Sequence, residues 1–192
     1  MSEGTLLRRV VELLGAAGIP HMLTGSFAST YHGPPRATRD IDLVIDPSRE
    51  GLERLLASLD PGEYYVSPEA ARDALARRGM FNVVDLETGW KVDLIVRKSR
   101  AFSLEEFSRR KPARLGEVEV PVTTAEDTIL SKLEWAKLGS SDLQLRDAVR
   151  VMEANRGGLD LGYLRRWARE LELREIFARA CSSAGIAAED ES

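Results

Sequence analysis

The sequence predicts an α/β (α+β) chain: a mixed sheet flanked by helices and followed by a C-terminal helical region. Three observations carry this. Short apolar runs of strand character alternate with helically spaced apolar sets as far as Val122. Beyond Thr123 no strand signal occurs, and apolar residues recur only at helical spacing. The 192 residues, 43% apolar and 30% charged, suit one compact unit or two small, closely packed ones. The expected division is a first domain over 1–122, a helical domain over 123–186 and an acidic tail over 187–192.

Over 5–17, Leu6, Leu7, Val10, Leu13 and Leu14 mark a packing helix closed by Gly15 and Gly18. Pro20 leads into an apolar strand, 21–24, which breaks at Gly25-Ser26 into a short helix, a Gly33-Pro34-Pro35 loop and a second strand, 41–45. Ser48 caps a helix carrying Leu52, Leu55, Leu56 and Leu59 that stops at Asp60-Pro61-Gly62. A short edge strand over 64–66 and a helix over 68–78 ending at Gly79 come next. The runs 81–86 and 90–96, separated by Glu87-Thr88-Gly89, read as a hairpin. Phe102 and Phe107 anchor a helix over 102–110, and 115–122 reads as a small hairpin turning at Gly116-Glu117, confined to an edge by Pro121. Thr124 with Asp127 approximates a capping box and Ser141 with Gln144 completes one. Apolar sets at Ile129, Leu130, Leu133 and Ala136, then Leu145, Ala148, Val149 and Met152, then Leu161, Leu164, Ala168 and Leu171 mark successive helices. A last helix over 172–183 precedes a tail expected to fray.

Charge and composition exclude several classes. With 27 Lys and Arg against 31 Asp and Glu, the net charge of −4 does not attract nucleic acid or an anionic membrane as a whole. One local bias opposes it: Arg97, Lys98, Arg100, Arg109, Arg110, Lys111 and Arg114 against Glu105 and Glu106, either a solvated face or a place to receive RNA. A single cysteine, Cys181, rules out an internal disulfide, and with only His21 and His32 beside it a Cys/His zinc site is almost excluded. Oxygen-ligated metals remain. The charged first turns do not read as a signal peptide and no run approaches a membrane span, so a cytoplasmic protein is expected.

The chemistry concentrates in LTGSFASTYHGPPRATRDIDLVID, from Leu23 to Asp46. Strand alternation turns Asp40 and Asp42 the same way, with Ile41 and Leu43 on the other face. Two adjacent carboxylates repel unless a cation lies between them, and magnesium takes one or two carboxylates together with phosphate oxygens and water. Glycine at Gly25 lets backbone approach a ligand, and the helix starting near Ser26 offers N–H groups to an anion. Ser26 is either an N-cap, a phosphate contact or both. Arg36, Thr38 and Arg39 follow the stiff prolines; the arginines either fork onto phosphate oxygens or neutralise the aspartates. Asp93 is the lone acid of an apolar strand, where a charge without a partner is costly. If its strand lies beside that of Asp40, three carboxylates gather, enough for two magnesium ions roughly 3.5–4 Å apart. Asp85 competes for this part but sits beside the hairpin turn.

A Gly-Ser opening a helix, then a loop, then Asp-x-Asp on a strand, here Gly25-Ser26 and Asp40-Ile41-Asp42, resembles the signature of the DNA polymerase β-like nucleotidyltransferase superfamily. RATRDID, from Arg36 to Asp42, TAEDTILSKLEWAK, from Thr124 to Lys137, and Arg146-Asp147 are similar to the abortive-infection type IV toxin nucleotidyltransferases and their relatives. The resemblance implies a nucleotidyltransferase fold and magnesium-dependent transfer of a nucleoside monophosphate from a nucleoside triphosphate to a hydroxyl acceptor. It implies that Asp40, Asp42 and Asp93 hold the metals and that Gly25 and Ser26 contact phosphates. It adds Lys132 and Asp147 to the functional set, although the position of Lys132 on the flank of its helix's apolar stripe by itself favours a snorkelling surface lysine. The acceptor is left open among an RNA 3′ end, a partner protein and a small molecule; a toxin role implies an antitoxin partner. The alternative is a catalytically degenerate member acting as a binding or antitoxin-like module.

Overall fold

The computed structural model describes residues 3–35, 38 and 40–187. The expectations for Arg36 and Arg39, and for fraying of the tail beyond 187, fall outside these residues. The chain forms two compact units. One comprises the segment ending at Phe27 and the segment ending at Thr123; the other comprises the segment opening at Ala28 and everything from Thr124 onward.

Among the described residues the first unit is built on seven strands: β1 (His21–Leu23), β2 (Asp40–Ile45), β3 (Tyr64–Val66), β4 (Met80–Asp85), β5 (Lys91–Val96), β6 (Lys111–Leu115) and β7 (Val118–Val122). Their order is β3-β4-β5-β2-β1-β7-β6. β2 runs parallel to β5 and β1 to β7, and every other neighbouring pair is antiparallel, so the sheet is mixed. Alternation decides its two faces. Ile41, Leu43 and Ile45 are fully buried while Asp40, Asp42 and Val44 between them are not. Burying such a side chain contributes about 1.5–3 kcal/mol, and a one-residue slip would bury the aspartates and expose the aliphatics. Helices α1 (Glu3–Ala16), α3 (Arg49–Ser58) and α4 (Pro68–Arg77) form a contiguous layer, α1 on α3 and α3 on α4, with α1 reaching β7 and α4 reaching β4 and β5. Ser48 accepts from the Gly51 N–H at 3.0 Å and Ser67 from Ala70 at 3.2 Å, which starts α3 and α4 where their sequences change.

Two boundaries differ from the sequence reading. The last hairpin is longer and lies elsewhere in the sheet: its first arm is Lys111–Leu115, and β7 with Pro121 is an inner strand while β6 forms the edge. Pro121 faces Pro112. Two residues without N–H groups can oppose each other only at a non-hydrogen-bonded position, and β1 reaches β7 at Leu23 and Val122 alone, so no ladder bond is lost. Likewise α4 closes on Arg78 at φ 51, not on Gly79; the Arg78 guanidinium donates to the Arg97 carbonyl oxygen at 2.7 Å and offsets the unusual backbone.

Helix α2 (Gly25–His32) begins in the first unit and ends in the second, where the Asn155 amide donates to the His32 carbonyl oxygen at 2.7 Å. The second unit otherwise consists of α6 (Ala125–Gly139), α7 (Asp142–Ala154), α8 (Leu161–Glu170) and α9 (Arg174–Ala184); α5 (Ala101–Arg109) belongs to the first. Ile129, Leu133, Met152, Leu164 and Ala180 fill the helical core. Fully buried Asp127 is satisfied there by the hydroxyls of Thr124 at 2.6 Å and Tyr163 at 2.5 Å. Cys181 is a free thiol in the same core, pushed up to about 11 by burial. Among the described residues no helix is long and apolar enough to cross a membrane.

One titration is readable in the sheet. His21 faces the Ile19 carbonyl oxygen through Nδ1 at 2.9 Å, and burial, which outweighs that bond, holds its pKa below the usual value, with Arg110 adding to the depression. The unfolded chain therefore takes up a proton that the folded one refuses. Stability is full above about pH 6.5 and falls as pH drops from there towards the folded pKa. His21→Gln is expected to flatten that slope between pH 7 and 5 in chemical denaturation; a parallel slope would show that the ring protonates freely in the fold.

Candidate active site

Strands β2 and β5 lie side by side and in parallel, with Asp40 opposite Lys91 and Asp42 opposite Asp93. Paired residues on neighbouring strands share a face, so three carboxylates and one ammonium stand together on the side opposite Ile41 and Leu43. Asn82 of β4, opposite Asp93 from the other flank, extends the polar patch. Asp93 is 7% exposed. Its Oδ2 accepts from Lys91 Nζ at 3.0 Å, whereas its Oδ1 is buried without a hydrogen-bond partner. Lys91 Nζ also lies 3.7 Å from Oδ1 of the exposed Asp40. The hydrogen bond to Asp93 raises the Lys91 pKa, and the charges of Asp93, Asp40 and Asp42 add to it against some burial.

Gly25 borders the patch. Its φ of +63° is left-handed, and a Cβ there would lie 2.0 Å from Asp42 Oδ2, so only glycine fits beside this carboxylate. The Thr24 N–H donates to the Asp42 carbonyl oxygen at 3.0 Å and ties the start of α2 to β2. Ser26, half-buried, is the second residue of that helix. The Thr38 hydroxyl donates to the Asp40 carbonyl oxygen at 3.4 Å, so Thr38 steadies the strand entrance. Asp85 is on the opposite face and serves the turn, accepting from the Thr88 hydroxyl at 2.5 Å and the Glu87 N–H at 3.2 Å.

Lys132 and Asp147 meet in the second unit, across α6 and α7, with Nζ 3.3 Å from Oδ2 and side chains only 6% and 3% exposed. Lys132 is therefore a buried charge and not a surface lysine; the helical spacing that placed it on the flank of a stripe could not see its partner. The basic run of the first unit is partly engaged in local contacts. Arg97 donates to Asp46 at 2.8 Å, and Arg110 lies over the Phe107 ring, 4.2 Å from its centroid. A cavity of about 790 Å³ in the second unit is lined by acids and bases alike, Asp142, Glu172 and Glu175 with Lys137, Arg169, Arg174 and Arg179, and its lining includes no orphaned buried atom among the described residues.

Lys91 and Asn82 were not read from the sequence as site residues. Lys91 stands two positions before Asp93 in a strand, and that spacing was the available signal. With its ammonium among the acids, no three His, Cys, Asp or Glu side chains among the described residues converge on a single ion position. The donor chemistry nonetheless fits a hard divalent cation: the side chains are carboxylates, and the orphaned Asp93 Oδ1 is a buried acceptor whose isolation costs about 1–3 kcal/mol unless a ligand meets it.

No family model matches the chain, and no curated protein matches it. Solved structures do. An antigenic nucleotidyltransferase-like protein from Paracoccidioides brasiliensis superposes with a TM-score of 0.56 at 15% identity, over 93% of this chain and 91% of that one. ANT(2")-Ia in complex with adenylyl-2"-tobramycin superposes with a TM-score of 0.57 at 14% identity, over 89% of this chain and 97% of that one. At such identities the likeness is one of fold: a mixed sheet with flanking helices and a helical C-terminal region, of nucleotidyltransferase-like type.

Proposed function

We propose that the chain is a magnesium-dependent nucleotidyltransferase that moves a nucleoside monophosphate from a nucleoside triphosphate to a hydroxyl acceptor and releases pyrophosphate. The observation that carries this reading is the pairing of Asp42 with Asp93 across two parallel strands, with the buried Asp93 Oδ1 lacking a partner. Asp40, Asp42 and Asp93 hold the metal, one ion or two. When bound, magnesium supplies charge neutralisation at the phosphates and a lowered pKa for the acceptor hydroxyl. Gly25 and Ser26 receive the β and γ phosphates at the first turn of α2. The acceptor oxygen forms a bond to the α-phosphorus, the bond from that phosphorus to the pyrophosphate oxygen breaks, and the hydroxyl proton passes to the Asp93 carboxylate. In such transfers alignment and electrostatic stabilisation do most of the work. Catalysis falls to the expected domain of 1–122, apart from the segment opening at Ala28 that groups with the helices of 123–186, and Lys132 and Asp147 form a further functional pair among those helices.

Incubation with each labelled triphosphate, magnesium and separate pools of RNA, protein and small hydroxyl compounds tests the reading and names the acceptor. Absence of nucleotide binding by calorimetry and of labelled product in every pool would end it. Transfer to RNA or protein, with growth arrest on induction, would place the chain among toxins of the abortive-infection kind and call for an antitoxin. Transfer to a small molecule alone would align it with antibiotic-modifying enzymes. One feature favours a second reading as a non-catalytic binding module: the Lys91 ammonium already lies between two of the acids.

Gly25→Ala tests the phosphate end of the site. The added methyl group must displace the Asp42 carboxylate and hold a left-handed backbone. We expect a loss of about 1–2 kcal/mol of stability and about a hundredfold in turnover, the scale of an ångström misplacement near the reacting atoms. Wild-type turnover with an unchanged melting temperature would remove Gly25 from the site.

A further inference from the structure

We propose that Lys91 is a built-in competitor for the divalent ion: its ammonium holds Asp40 and Asp93 until nucleotide phosphates draw it away, so that metal loading depends on nucleotide. The inference rests on the metal-site reading above and assigns to it a residue that the reading itself does not use.

Strand geometry fixes the starting point. Lys91 and Asp93 are two residues apart on β5 and therefore share a face, and Asp40 is the partner of Lys91 on β2. One ammonium thus contacts two of the three carboxylates assigned to the metal, at 3.0 Å and 3.7 Å. The arrangement is incomplete, however. Lys91 serves Asp93 Oδ2 and leaves Oδ1 buried and unpartnered. A residue present only to neutralise Asp93 would gain by satisfying both oxygens, as a forked arginine does. A lysine is instead a point charge on a flexible four-carbon stem. It can leave one anion for another without rebuilding the strand, and its side chain is 36% exposed, with a path outward.

The consequence is a three-way linkage. A divalent ion arriving alone must displace the ammonium from both carboxylates and leave it without an anionic partner there. An ion arriving with a triphosphate brings oxygens that the ammonium can bind instead. Metal and nucleotide then bind with positive coupling, and by linkage each tightens the other by the same factor. The purpose would be chemical: a site that fills with metal only when nucleotide is present would supply the metal's chemistry only when there is a substrate to receive it.

The test compares the full chain with Lys91→Met, using Mn²⁺ counted by its free-ion resonance signal, alone and with α,β-methylene-ATP. We expect Lys91→Met to bind Mn²⁺ alone at least about tenfold more tightly than wild type, because a unit charge has left contact distance. With the nucleotide analogue the two proteins should bind Mn²⁺ within about threefold of one another, so the nucleotide-dependent tightening shrinks in the variant. Lys91→Gln keeps a donor for Asp93 Oδ2 while losing the charge, and should behave like the methionine variant if that one folds poorly. Equal or weaker Mn²⁺ binding by the folded charge-removed variant overturns the competitor role while leaving the metal site intact. No Mn²⁺ binding by any of the proteins under either condition overturns the metal site and the inference together.

Discussion

Asp42→Asn is expected to lower nucleotidyl transfer about a thousandfold while the protein melts no lower than wild type. The substitution is isosteric, so the carboxamide fits the space beside Gly25 that a Cβ there would fill. What it removes is one negative charge from a face that also carries Asp40 and Asp93. A metal clamp contributes several kcal/mol to the stabilisation of transferring phosphate, and each 1.36 kcal/mol is tenfold in rate, so if Asp42 is the ligand proposed above its loss costs about three orders of magnitude. The stability term runs the other way, because like charges held side by side are relieved when one is neutralised. Initial rates of pyrophosphate release and a calorimetric melt of the same preparation decide it. Undiminished turnover would mean that β2 contributes no ligand to the chemistry. A large fall in melting temperature would mean that Asp42 is a structural acid.

How much of this was legible depended on how local each relation is. That Asp40 and Asp42 share a face follows from alternation over three residues, and the strand and its fully buried Ile41, Leu43 and Ile45 are where that pattern puts them. That Asp93 joins them is a different kind of statement. It needs β5 to pair in parallel with β2 in one register, across an intervening segment that includes α3, β3, α4 and β4. Nothing in the local pattern of either strand specifies that partner. Lys91 was hidden for a subtler reason: its spacing from Asp93 was visible, yet an isolated lysine beside an acid reads as solvated charge until the neighbouring strand is known. Pro121 misled because a proline is read as an edge marker, whereas here it opposes a second proline, and β1 pairs with β7 only at Leu23 and Val122, so its missing N–H is not called on. Local rules located the caps at Ser48, Thr124 and Ser141, since each concerns a donor three residues away.

The same distinction governs Lys132, whose partner is fifteen residues away on another helix. Lys132→Met is expected to destabilise the chain by about 3–5 kcal/mol, because it leaves the Asp147 carboxylate charged in the interior without its ammonium. In a chain of this length each kcal/mol corresponds to about 2–4 °C, so the melting temperature should fall by about 6–20 °C. Replacing both partners separates stability from chemistry. In Lys132→Met/Asp147→Leu neither member of the pair is left charged without the other, and apolar pairs of similar volume are often neutral or better than the ion pair they replace, so most of the lost stability should return. Its turnover is then the informative quantity. A stable double variant that no longer transfers nucleotide would mean the pair is retained for the reaction. A stable double variant with wild-type turnover would reduce Lys132 and Asp147 to a replaceable fastening between α6 and α7. If Lys132→Met alone melts with the wild type, Asp147 does not depend on this lysine, and the two leave the functional set.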